Sequence, residues 1–108
     1  MALPKKITIS EAGIRDGLQN ERRILSVEEK LSLIGGLVEA GLTDIEAGSF
    51  VRADRVLSMA NSPEVFERLN HSTGVKYYAL VPNRKGLERA IEAGAKLVGI
   101  GVSASRAH

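Results

Sequence analysis

The segment Glu39-Ala40-Gly41 recurs as Glu92-Ala93-Gly94, and each copy is followed closely by an apolar, β-rich run. Glycine at the end of a helical pattern caps it, and a strand straight afterwards is half of a βαβ unit. Two such units in one chain predict alternating strands and helices, hence a parallel sheet with right-handed crossovers. This constrains the fold more than any other feature of the sequence. The 108 residues are read as one domain spanning 1–108.

The remaining punctuation agrees. Ile7 to Ser10 alternates apolar and polar residues and reads as the first strand. Ser26-Val27-Glu28-Glu29 is a capping box that starts a helix with Val27, Leu31, Ile34 and Val38 on its apolar side. Gly35-Gly36 inside that helix is unfavourable by roughly 1 kcal/mol per residue, and close helix-to-sheet packing is the expected compensation. Thr43 to Ala47 is the second strand. Residues 52–61 give no clear signal, and Ser62-Pro63 opens another helix. Val75 to Val81 is the third strand, stopped by Pro82-Asn83. Leu87, Ala90 and Ile91 mark a third helix closed by Gly94, and Leu97 to Val102 is the fourth strand.

Topology then selects candidates for chemistry. In parallel α/β folds ligands bind at the carboxyl ends of the strands. Arg15 and Asp16 follow strand one within Glu11-Ala12-Gly13-Ile14-Arg15-Asp16-Gly17-Leu18-Gln19-Asn20-Glu21. Glu46 ends strand two, Asn83 follows strand three, and Ser103 and Ser105 follow strand four. These groups share one face. Glu46 interrupts an apolar strand, and a carboxylate there needs a partner, for which Arg15 on the neighbouring strand is the candidate. Glu11 reads either as a site residue or as a strand end; Gln19 and Asn20 read either as site residues or as turn and cap residues. His71 falls on the opposite face and reads as a solvated loop residue, while His108 lies on the site face without a partner in the sequence.

Other classes fall away. A net charge of +2 with scattered basic residues and one aromatic pair, Tyr77-Tyr78, gives no nucleic-acid surface. No apolar run approaches a membrane span, and Lys5-Lys6 leads into a strand rather than a signal sequence, so a soluble cytoplasmic protein is expected. There is no cysteine, hence no thiolate nucleophile or thiolate metal site. No phosphate-binding loop is present, and Gly99-Ile100-Gly101 lacks the third glycine of a dinucleotide fingerprint.

The run Arg15-Asp16-Gly17-Leu18-Gln19-Asn20-Glu21 resembles the 3-hydroxy-3-methylglutaryl-CoA lyase family. The resemblance continues through Gly41-Leu42, Ile45-Glu46, Ser49-Phe50-Val51, Val81-Pro82-Asn83, Gly86, Ala93-Gly94-Ala95 and Ser103-Ala104-Ser105. It implies the N-terminal half of a (β/α)8 TIM barrel, about β1-α1 to β4, with parallel strands. It implies a lyase that cleaves 3-hydroxy-3-methylglutaryl-CoA to acetyl-CoA and acetoacetate, with a place in leucine degradation. The implied roles are Asp16 as ligand of a divalent cation (Mg2+ or Mn2+), Arg15 at the thioester carbonyl, and Glu46 orienting Arg15. Glu11 matches a position near the site, and Gln19, Ser49 and Asn83 are substrate-binding by position.

Two departures accompany the resemblance. Arg52-Ala53-Asp54-Arg55 differs from the family's usual residues after Ser-Phe-Val. The family's histidine pair and catalytic cysteine belong to later strands, and a full barrel takes about 250 residues. This chain alone is therefore expected to be inactive, and its open strand edges are expected to drive self-association into a homo-oligomer. The alternatives are a condensing acyltransferase of the isopropylmalate and homocitrate synthase type, again using an acyl-CoA, or a non-catalytic half-barrel module.

Overall fold

Runs of β-branched and aromatic residues broken by glycine-capped helices give four parallel strands in the computed structural model, which describes residues 6–18, 23–52, 55–71 and 73–101. The strands are β1 (Ser10–Glu11), β2 (Asp44–Ser49), β3 (Lys76–Leu80) and β4 (Leu97–Gly99). They lie side by side in chain order, every neighbouring pair parallel. The helices α1 (Val27–Glu39), α2 (Ser62–Arg68) and α3 (Arg84–Glu92) supply the crossovers. Gly41 and Gly94 close α1 and α3 at φ of 99° and 87°, a region nearly free of strain only for glycine. The two copies of the Glu-Ala-Gly segment thus do the same mechanical job.

All three helices contribute to one core. Ile34 of α1, Val65 and Phe66 of α2 and Ala90 of α3 pack with Ile45 and Ala47 of β2, Tyr77 and Ala79 of β3, and Val81 just after it. Phe50 and Phe66 meet at 5.6 Å between ring centres. Gly48 lets α2 approach the strand: a Cβ there would lie 2.6 Å from Ser62 Oγ and 3.2 Å from Phe66 Cε2. The sheet is therefore covered on one face, with its other face carrying the polar residues described below.

The α1 capping box forms as its sequence requires. Ser26 Oγ accepts from the Glu29 amide, and Glu29 Oε1 accepts from the Ser26 amide, each at 3.1 Å. Lys30, one turn on, is buried at 1% exposure. Its ammonium donates to the Ser58 carbonyl and to Asn61 Oδ1, and Asn61 Nδ2 donates to the Leu25 carbonyl at 2.9 Å. These bonds tie the segment after β2, where residues 57–59 form a short 3-10 turn, to the start of α1.

Four expectations change. The first strand is Ser10–Glu11 rather than Ile7 to Ser10. Its partner β2 begins only at Asp44, opposite Ser10, so Ile7 and Ile9 have no strand beside them and stand 74% and 66% exposed. The fourth strand stops at Gly99, and residues 102–108, including Ser103, Ser105 and His108, lie outside the described residues. Gly35 and Gly36 are exposed, and an added Cβ meets nothing within 4 Å, so close packing is not their reason. His71 is half-buried rather than solvated: its ring meets Tyr77 edge-on at 5.8 Å, with Nε2 buried.

Candidate active site

The site begins at the end of β1. After Glu11 the backbone enters a single wide π-helical turn, Gly13–Gly17, in which the Gly17 amide reaches back to the Ala12 carbonyl. Such turns are rare and are found often at functional sites. The turn buries Ile14 and turns Arg15 toward β2. Arg15 Nε donates to Glu46 Oε1 at 3.0 Å, and Arg15 Nη2 lies 2.9 Å from the same oxygen. The two side chains retain 19% and 24% of their exposure. The pair is thus partly shielded yet open to a ligand.

Strand alternation builds the rest of the wall. Asp44 and Glu46 are two residues apart on β2, and Glu46 lies opposite Tyr78 of β3. With Ser10, Arg15, Leu80 and Gly99 they line a cavity of about 450 Å³ on the uncovered sheet face. Asp44 Oδ1 accepts from Thr43 Oγ1 at 2.9 Å and Oδ2 from the Tyr78 hydroxyl at 3.2 Å. Partial burial first, and then the hydrogen bond to Asp44 and its charge, push the Tyr78 phenol above its ordinary range. A β-bulge between Glu46 and Gly48 shifts the register, so that Ser49 pairs with the cavity residue Leu80. Without that extra residue Ser49 would fall on the opposite face from Leu80. Ser49 Oγ is buried and has no hydrogen-bond partner among the described residues.

Of the sequence candidates, Arg15 and Glu46 come together as an ion pair. Ser49 stands further along β2, three residues after Glu46. Glu11 pairs in register with Ile45, a core residue, and its Oε1 accepts from the Gly13 amide at 2.8 Å. It lines a separate apolar groove beside α1 with Ile14, Leu18, Leu33 and Leu37. Asn83 caps α3, with Oδ1 accepting from the Gly86 amide at 2.9 Å. Asp16 belongs to the π-helical turn, with its side chain outside the described residues, as is Gln19. Asp44 and Tyr78 were not among the candidates. Counting two back from Glu46 on one strand face would have found Asp44; Tyr78 needed the register.

The described residues do not by themselves make a cation site. A hard cation takes about six oxygen ligands. Glu46 is engaged by Arg15, Asp44 by Thr43 and Tyr78, and no group of three or more potential ligands is present among the described residues.

A family model described as HMGL-like matches residues 6–108. The chain belongs to the HMGL-like family. It is 49% identical over 107 residues to a Pseudomonas aeruginosa protein named 3-hydroxy-3-isohexenylglutaryl-CoA/hydroxy-methylglutaryl-CoA lyase, covering 99% of this chain and 36% of that one. The crystal structure of a hydroxymethylglutaryl-CoA lyase from the same organism superposes with a TM-score of 0.89 at 48% identity, over 99% of this chain and 36% of that one. An HMG-CoA lyase from Acinetobacter baumannii, in complex with coenzyme A and 3-methylmalate, superposes at 0.86 with 37% identity, over 94% and 33%. The four strands therefore correspond to the N-terminal part of an HMG-CoA lyase TIM barrel. The chain spans about a third of the length of the proteins it matches.

Proposed function

We propose that this chain supplies the Arg15–Glu46 part of a carbon–carbon lyase acting on 3-hydroxy-3-methylglutaryl-CoA, with acetyl-CoA and acetoacetate as products. The observation that carries the reading is a guanidinium held by a carboxylate through two contacts inside the cavity at the strand ends. In the cleavage the tertiary hydroxyl loses its proton and the adjacent carbon–carbon bond breaks. The former hydroxyl carbon becomes the ketone of acetoacetate, and the electron pair of the broken bond becomes an enolate on the departing thioester, which takes up one proton to give acetyl-CoA. Arg15 is the donor for that oxygen, and Glu46 fixes its direction, so the guanidinium is aimed before charge develops. One such preorganised donor is typically worth ~10²–10³ in rate. The buried Ser49 hydroxyl is a second polar group for the substrate, Gln19 and Asn83 are assigned substrate-side roles by position, and Glu11, which lines the groove beside α1, has a supporting role through its bond from the Gly13 amide in the turn that carries Arg15.

The relatives' names and the coenzyme A complex support an acyl-CoA substrate. A divalent cation belongs to this reading, taken as Mg2+ or Mn2+, with Asp16 as the ligand this chain contributes to it; membership of the HMGL-like family is what supports a metal. A cytoplasmic enzyme of leucine degradation, self-associating through the edges of β1 and β4, completes the proposal.

The test is a chimera. Residues 6–108 replace the matching segment of the P. aeruginosa lyase, and acetoacetate release from 3-hydroxy-3-methylglutaryl-CoA is followed. The chimera is expected to turn over, the 108-residue chain alone is not, and Arg15→Gln in the chimera is expected to lower kcat by ~10²–10³. A folded chimera that condenses acetyl-CoA with a 2-oxo acid instead overturns the lyase reading in favour of the acyltransferase. A folded chimera with neither activity overturns both.

A further inference from the structure

The bulge in β2 has a backbone cost that the ladder does not meet. Ala47 belongs to the core, and Gly48, which follows it, pairs with the core residue Ala79 and faces α2. Between the Glu46–Tyr78 and Ser49–Leu80 pairs β2 thus has one residue more than β3. A bulge disrupts the ladder locally, and a buried amide there needs an acceptor from elsewhere. β1 supplies none, since its pairing with β2 ends with Glu11 opposite Ile45. The buried Ser49 amide donates instead to Ser62 Oγ at 3.0 Å. Ser49 and Ser62 are each only 1% exposed, so solvent does not replace that acceptor. One residue later the ladder resumes, with the Phe50 amide donating to the Leu80 carbonyl at 2.9 Å.

We propose that Ser62 is a positioning residue of the site: its hydroxyl oxygen holds the Ser49 amide, locks the bulge of β2 and so keeps the Ser49 hydroxyl on the substrate side. The inference rests on the reading of Ser49 as a substrate-side group. The local sequence places the acceptor for this task. Ser62 is the first residue of α2, and the residue before it, Asn61, spends its side chain on Lys30 and on the Leu25 carbonyl. Gly48 clears the path, because a Cβ there would lie 2.6 Å from Ser62 Oγ and 3.0 Å from Ser62 Cβ. A missing side chain on the strand thus lets a hydroxyl from the helix reach the next backbone amide. The register makes the consequence sharp. Successive strand residues face opposite sides, so losing the extra residue from the ladder would turn Ser49 away from the side of Leu80.

The experiment uses the chimera described above and the kinetics of acetoacetate release. Ser49→Ala is expected to raise KM roughly fivefold, the weight of one neutral hydrogen bond, with kcat within about twofold of the parent. Ser62→Ala removes one oxygen from α2 and is expected to reproduce that rise. Because Ser62 acts through Ser49, the double variant is expected to stay within about twofold of Ser49→Ala, whereas independent losses would multiply to roughly 25-fold. Gly48→Ala, whose new carbon displaces the same oxygen, is expected to give the same rise in KM; it keeps the proposal testable if Ser62→Ala does not fold. Val65→Ala, a core truncation one turn further along α2, is the structural control, expected to lower the urea midpoint and leave KM unchanged. KM within about twofold of the parent in a folded Ser62→Ala overturns the proposal. So does a multiplied loss in the double variant, or an equal rise in KM in Val65→Ala. An unaltered KM in Ser49→Ala is a different failure: it takes Ser49 off the substrate side and this inference with it, while Arg15→Gln still tests the lyase reading separately.

Discussion

The two faces of the sheet are built from the same strands and have opposite characters. Ile45, Ala47, Tyr77, Ala79 and Val81 point to the helices and are buried. Ser10, Asp44, Glu46, Tyr78 and Leu80 line the other face and its cavity. Sheets made wholly of parallel strands are usually covered on both faces and read as continuous apolar runs. Here the period-2 alternation survives within β2 and β3, because one face is packed and the other carries hydrogen-bonding groups. Stability belongs to the first face and chemistry to the second.

The largest expected effect tests the packed face. Phe66 is fully buried between Phe50 and the close approach of Gly48, so Phe66→Ala is expected to cost about 3–5 kcal/mol and to unfold much of the population. On the cavity face, Glu46→Gln removes a partly exposed ion pair and is expected to cost under ~1 kcal/mol. Urea unfolding followed by circular dichroism compares the two. Equal losses would break the division of labour between the faces.

Lys30 sharpens the comparison, because it is a charge buried on the packed side. Its burial holds its pKa below the ordinary 10.5. Between that lowered value and 10.5 the unfolded chain binds more protons than the folded one, so this group makes stability rise with pH across that window. Below it, the ammonium is charged in both states and its desolvation opposes folding in full, offset by its bonds to Ser58 and Asn61. Lys30→Met leaves both acceptors without that donor, and a loss of about 1–3 kcal/mol is expected at pH 7. Urea midpoints from pH 7 to 10.5 should show the rising slope in the parent and its absence in the variant. A slope that persists would assign it to another group.

Much of this was legible in the sequence for identifiable reasons. The capping box at Ser26, the glycine caps at Gly41 and Gly94 and the Pro63 helix start are local signals, and local signals survive folding. The Arg15–Glu46 pair was legible because an interrupting carboxylate on a strand needs a cation, and parallel topology puts one beside it. What was not legible depended on register. The bulge after Glu46 decides which face Ser49 takes, and only pairing with β3 reveals it. Tyr78 becomes a neighbour of Glu46 by the same pairing. Ile7 and Ile9 have a strand's pattern but no strand opposite, and a pattern does not contain its partner. Lys30 looks like any solvent-facing lysine in the helical repeat until the segment after β2 folds over it.

The smallest effect concerns the outside of α1. Glycine in a helix interior is less stable than alanine by roughly 0.5–1 kcal/mol, chiefly through the backbone entropy lost on folding. That loss is usually offset where the missing side chain permits a close contact. Gly48 and Gly86 are such places: added carbons would lie 2.6 Å from Ser62 Oγ and 2.8 Å from the Phe50 carbonyl oxygen, so Gly48→Ala and Gly86→Ala are expected to destabilise. Gly35 has nothing within 4 Å of the carbon it lacks. Gly35→Ala is therefore expected to raise stability by roughly 0.5–1 kcal/mol, seen as a higher urea midpoint with an unchanged slope. A lower midpoint would mean that something closes on this side of α1 in solution, and the packed region would then extend beyond the three helices. An equal gain in Gly35→Ala and Gly48→Ala would remove the contrast between the helix's outer surface and the contact of α2 with β2.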